Sequence, residues 1–60
     1  MAGIKENSIV KINDIAGEYR IISVDVDRNG VAQTVLENLE DYSRLYVKRR
    51  MSNFELVEDQ

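Results

Sequence analysis

The dipeptide Asn29-Gly30 lies between two apolar stretches rich in β-branched and aromatic residues, Tyr19 to Val26 and Val31 to Leu39, and it constrains the fold more than any other feature. Asn-Gly supplies the two positive-φ positions of a two-residue type I′ turn, whose twist matches that of the antiparallel strands it joins. With these residues at the tip, Arg28 pairs with Val31, Val26 with Gln33 and Val24 with Val35. One face of the hairpin then carries Ile22, Val24, Val26, Val31 and Val35, and the other Ser23, Asp25, Asp27, Ala32 and Thr34. Side chains alternate across a strand, so this division predicts a hairpin with one buried face.

Three more short apolar runs, Ile9 to Ile12, Leu45 to Val47 and Phe54 to Val57, have the length of strands. The turn cluster Asn13 to Gly17 separates a first strand near Ser8 to Ile12 from the one starting at Glu18. A loop around Glu40-Asp41-Tyr42-Ser43 closes a second hairpin with Leu39 and Leu45 on the Val35 face, and Met51-Ser52-Asn53 is a tight turn into the last strand. The expected fold is all-β, a five-stranded small barrel. Its competitor is an α+β fold: Thr34 and Glu37 match a capping box, and Val35, Leu36, Leu39, Tyr42, Leu45 and Tyr46 have the spacing of an amphipathic helix over residues 34–47 packed on the hairpin. The β reading prevails because Val35 already belongs to the hairpin and the Leu45 and Phe54 runs favour strands.

Sixty residues make a single domain, 1–60, with an ordered core of about 8–58 and frayed ends at Met1 to Asn7 and Glu58 to Gln60. At 43% hydrophobic residues and a net charge of -3 the composition is that of a folding chain. It has no Cys and no His, which removes disulfides, thiolate or imidazole metal sites and His-based catalysis. Ser8, Ser23, Ser43 and Ser52 therefore lack an imidazole to activate them, and the acid pairs Asp25/Asp27 and Glu40/Asp41 fall in turns where carboxylates stay solvated. A barrel of this size also has little room for a pocket, so the expectation is a non-enzymatic protein without cofactor or metal. No apolar run reaches membrane-spanning length and Met1 to Asn7 lacks a leader's apolar core, which predicts a cytoplasmic protein with no membrane partner.

The stretches Gly17-Glu18-Tyr19-Arg20-Ile21-Ile22, Asn29-Gly30-Val31, and Tyr46-Val47 through Phe54-Glu55-Leu56-Val57 follow a layout that resembles the SH3-like small barrels. That family includes Tudor-type readers of modified peptides, KOW domains of ribosomal and transcription proteins, peptide-binding adaptors and small phage or prophage proteins. The Ala-Leu-Tyr-Asp-Tyr type motif of the adaptors is absent, as is any Trp, so the resemblance does not imply polyproline binding.

Arg44-Leu45-Tyr46-Val47-Lys48-Arg49-Arg50 holds four cations and no acid in a chain that is otherwise acidic. On a strand, Leu45 and Val47 turn inward while Arg44, Tyr46, Lys48 and Arg50 align outside, a surface suited to phosphates and to stacking a base. The expected site is thus nucleic-acid or partner binding through Arg44, Tyr46, Lys48, Arg49 and Arg50, with Lys48, Arg49 and Arg50 on phosphates, Arg44 assisting and Tyr46 stacking. The plainer reading makes the same cations a solvated edge that balances Glu37, Glu40 and Asp41. A protein partner is the alternative, as an adaptor or a phage-type accessory factor, the chain being a monomer or a weak homodimer that pairs along a barrel edge.

Two further patterns are present in the sequence. Asp25, Asp27, Asn29 and Gly30 match the first half of a calcium loop, but the closing Glu position is Leu36 and Glu37 misses by one. Tyr19, Tyr42, Tyr46 and Phe54 would form part of a cage for a cationic ligand only if the fold gathered them; core and rim positions account for them more simply.

Overall fold

The computed structural model describes residues 4–58 and is all-β: five strands, β1 (Ile9–Ile12), β2 (Ile15–Val26), β3 (Val31–Asn38), β4 (Arg44–Arg50) and β5 (Phe54–Glu58), form one antiparallel sheet. Each apolar run of the sequence becomes a strand. Residues 34–47 are strand, turn and strand, which overturns the helical alternative. Met51–Asn53 is a single 3-10 turn.

The sheet order is β4-β3-β2-β1-β5, so consecutive strands are neighbours except for the last, which returns to pair with the first. No second layer covers the sheet among the described residues, yet it buries Val10 and Ile12 of β1, Tyr19 and Ile21 of β2, Ala32 and Leu36 of β3, Val47 of β4 and Phe54 of β5 in one cluster. A lone sheet can do this only by curling on itself. The connection from β4 to β5 requires the same curvature. Laid flat, four inter-strand gaps would separate these edges by about 19 Å, whereas a three-residue 3-10 link advances only about 2 Å per residue. The end of β4 therefore meets the start of β5 at a corner, which the Asn13 N–H secures by donating to Asn53 O at 3.1 Å. The result is compatible with a small barrel.

The central hairpin differs from expectation by one residue. Asp27 O accepts from the Gly30 N–H at 3.1 Å, the Asp27 N–H donates to Val31 O at 3.0 Å, and only Gly30 of the loop has positive φ, at 80°. This is a type I turn closed by a left-handed glycine bulge, with a three-residue loop in place of the two-residue type I′ turn. The Asp27 carboxylate favours it by accepting from the N–H groups of Asn29 at 2.8 Å and Val31 at 3.1 Å. Val26 consequently pairs with Ala32, Asp25 with Gln33 and Val24 with Thr34. A slip of one exchanges the faces of β3: Ala32, Thr34 and Leu36 are buried, while Gln33 is exposed and Val31 and Val35 are only half-buried. Thr34 tolerates the interior because its hydroxyl donates to Val47 O at 2.9 Å.

The same shift corrects the second hairpin, in which Leu45 pairs with Leu36, not on the Val35 face. Asn38 N–H donates to Ser43 O at 2.8 Å, and the four-residue loop Leu39–Tyr42 closes with Tyr42 at φ 63°. β2 also begins earlier than expected, at Ile15, and bends through Gly17 at φ 104°. From Ile4 onward the N-terminal segment lies against the sheet: Ile4 packs against the core, the Asn7 N–H donates to Ile21 O at 2.8 Å and Ser8 is fully buried. Glu58 is likewise part of β5, whereas the expectation of fraying at 1–3 and 59–60 lies outside the described residues.

Candidate nucleic-acid interface

Among the described residues β4 is an edge strand, paired on one side only. Its partner fixes which side chains share a face. Leu45, Val47 and Arg49 stand opposite Leu36, Thr34 and Ala32 and take the inner side, while Arg44, Tyr46, Lys48 and Arg50 stand opposite Glu37, Val35, Gln33 and Val31 on the outer side. Alternation carries this assignment along the strand without a break, because β3 and β4 pair without a register shift.

Four of the five expected site residues are thus brought together, and one is not. Arg49 belongs to the other face, where its Nε donates to Asp14 Oδ2 at 3.0 Å across the corner and its Nη1 donates to Lys48 O at 2.9 Å. This contact links β4 to the β1–β2 turn. On the outer face, Arg44 lies 3.9 Å from Glu37, which realises part of the charge balance read from the sequence, and Arg50 Nη1 donates to Asn29 O at 3.3 Å. Among the described residues Lys48 has no carboxylate within 4.0 Å.

Tyr46 is 64% exposed in the middle of this row. Its hydroxyl donates to Gln33 Oε1 at 2.9 Å. Since Gln33 pairs with Lys48 and lies diagonal to Tyr46, the ring is drawn along the sheet and offers a face to solvent. Gln33 went unrecognised in the sequence because the expected hairpin register set it opposite Val26; only the glycine bulge turns it outward.

Two strands away, Asp25 and Asp27 form an acidic border on the same side of the sheet. The backbone N–H of Val31, and then that of Asn29, hold the Asp27 carboxyl below its ordinary pKa, with smaller contributions from Lys48 and Arg50. The outer face therefore runs from Asp25 and Asp27 at one end of the β2 row and Arg20 at the other, through Val31, Gln33, Val35 and Glu37 of β3, to the cations of β4. The calcium pattern is absorbed by this architecture: Asp25 lies within a strand, Asp27 caps a turn, and no metal-holding group of side chains exists among the described residues. The four aromatics are not gathered, since Tyr19 and Phe54 are core, Tyr42 is in the β3–β4 loop and Tyr46 is on the outer face.

No cavity opens among the described residues, and no helix of theirs is long and apolar enough to cross a membrane. No protein-family model, curated protein or solved structure matches the chain significantly.

Proposed function

We propose that this chain is a non-enzymatic binding module of the SH3-like small-barrel type that contacts nucleic acid through the outer face of β4. The fold assignment is supported by the strand order β4-β3-β2-β1-β5 and by the 3-10 corner that joins β4 to β5. One observation carries the functional reading: Arg44, Lys48 and Arg50 stand in line on one exposed face with the ring of Tyr46 between them. Cations position a phosphate backbone, and an exposed aromatic ring takes a base by stacking. The test is an amide chemical-shift titration of labelled protein with short single-stranded and duplex DNA and RNA at low and moderate salt. Salt-sensitive shifts confined to the Arg44–Arg50 strand and Gln33 are expected; no shift at millimolar nucleic acid overturns the proposal.

A protein partner is favoured by a different observation. Leu36/Leu45, Thr34/Val47 and Ala32/Arg49 are the hydrogen-bonded pairs of this ladder, as set by the bonds of Asn38 to Ser43 and Met51 to Gly30 at its ends. The backbone groups of Arg44, Tyr46 and Lys48 therefore face away from β3; those of Arg44 and Tyr46 and the Lys48 N–H are available to an added strand, while Lys48 O already accepts from Arg49 Nη1. Antiparallel self-pairing centred on Val47 would set Arg44 of one copy against Arg50 of the other, so an acidic extended peptide suits this edge better than a second copy. Edge amides that shift with such a peptide and not with nucleic acid would select this reading.

A further inference from the structure

We infer, building on the nucleic-acid reading above, that the β4 face takes a single strand and not a duplex. The first reason is the width of the cationic surface. Arg44, Lys48 and Arg50 occupy one strand, beyond which the sheet of the described residues ends; on the inward side lie β3 and then, two strand spacings away, Arg20 and Asp25 of β2 and Asp27 just past its end. Two spacings amount to about 10 Å, while the phosphate rows that flank the grooves of a duplex stand about 6 to 12 Å apart. With one row on β4, the second row of a duplex falls over the aspartates or beyond the edge of the sheet. On the inward side the cation Arg20, level with Arg44 across Glu37, is outweighed by Asp25 and Asp27, which stand level with Lys48 and Arg50.

The second reason is the pitch of the row. Successive outer residues of a strand are two steps apart, about 6.8 Å, roughly twice the 3.4 Å axial step per nucleotide in a stacked duplex strand. A stretched, unstacked strand matches that repeat, and Arg44 to Arg50 then spans about three nucleotides.

The third reason is Tyr46. A stacking ring needs an unpaired base, and this ring lies along the sheet, held by Gln33 and open to solvent between Arg44 and Lys48. A duplex keeps its base faces covered and would leave the ring unused.

The experiment is a fluorescence-anisotropy titration of the intact protein with an oligothymidylate of about ten nucleotides and with a hairpin duplex of equal phosphate count. The single strand should bind at least about tenfold more tightly, with a slope of log K against log salt near -2, about -0.7 for each of three cations. Tyr46→Ala should weaken single-strand binding about tenfold and leave the weak duplex binding unchanged, while Tyr46→Phe, which keeps the ring, should retain most of the affinity. Duplex binding as tight as that of the single strand, or equal losses on both probes for Tyr46→Ala, would overturn the single-strand inference and leave the nucleic-acid reading standing. Binding of neither probe at millimolar concentration would remove both.

Discussion

Replacing Gly30 by alanine tests the turn on which the register of β3, and with it the outward position of Gln33, depends. Gly30 adopts φ 80° and a Cβ built on it meets no atom within 4 Å, so the substitution carries a backbone cost without a steric one. A non-glycine residue in the left-handed region costs about 1–2 kcal/mol. Alanine also restricts the unfolded chain, which returns about 0.4–1 kcal/mol, leaving a net loss near 1 kcal/mol. In a domain of this size that corresponds to a fall in Tm of about 4–8 °C. Urea denaturation followed by circular dichroism should show a lower midpoint at an unchanged m-value. The control is Asn29→Ala: Asn29 has ordinary negative φ in this turn, and its replacement should change stability by no more than about 0.5 kcal/mol. A type I′ turn would need positive φ at both residues. Equal losses for the two variants would therefore refute the glycine-bulge register and return Gln33 to the buried face.

Three further outcomes follow from the geometry. Leu36→Ala, at a fully buried position between β2 and β4, should cost about 2–5 kcal/mol, a large share of the stability of so small a domain, visible as a collapse of the urea midpoint. Lys48→Ala should weaken binding to an oligothymidylate and reduce the salt slope by about 0.7, whereas Arg49→Ala, whose guanidinium is turned to Asp14, should leave both unchanged; the reverse order would contradict the assignment of faces. Asp27 and Asp41 have folded-state pKa values below the ordinary aspartate value, Asp27 through the N–H groups of Val31 and Asn29 and Asp41 through the hydroxyl and then the N–H of Ser43. Their contribution to stability is present in full above the unfolded pKa and is lost as pH falls through the lowered folded values, so their carboxyl resonances in an acid titration should move at lower pH than those of a denatured control.

The centres of the strands were legible in the sequence because each holds a compact apolar run, although β2 begins at Ile15, inside the stretch read as a turn. The division of β4 was legible for the same reason, since alternation alone separates Val47 from Tyr46 and Lys48. What alternation could not decide was register. The dipeptide Asn29-Gly30 is compatible with two turns, and the choice between them is made by Asp27, whose carboxylate binds two backbone N–H groups and stabilises the longer loop. The β-branched residues of β3 then misled, because Val31 and Val35 are the more apolar set and yet face outward, while Ala32 and Thr34 fit the narrow interior of a tightly curled sheet. Arg49 was grouped with its neighbours on charge, although its partner Asp14 is distant in sequence and close only once the corner between β4 and β5 has formed.

The pairing of β1 with β5 has a consequence for how the molecule is made. Ile9 stands opposite Glu58, so one ladder joins positions separated by nearly the whole described chain. Such a contact must overcome the loop-closure entropy of everything between, which places folding among the slower, millisecond-to-second class of small β proteins. On the ribosome the three local hairpins, β1–β2, β2–β3 and β3–β4, can form as they emerge, but Val10 and Ile12 remain without Phe54 until β5 is released. The domain thus becomes complete in one late step, and a nascent chain arrested before β5 has emerged should remain open to proteolysis.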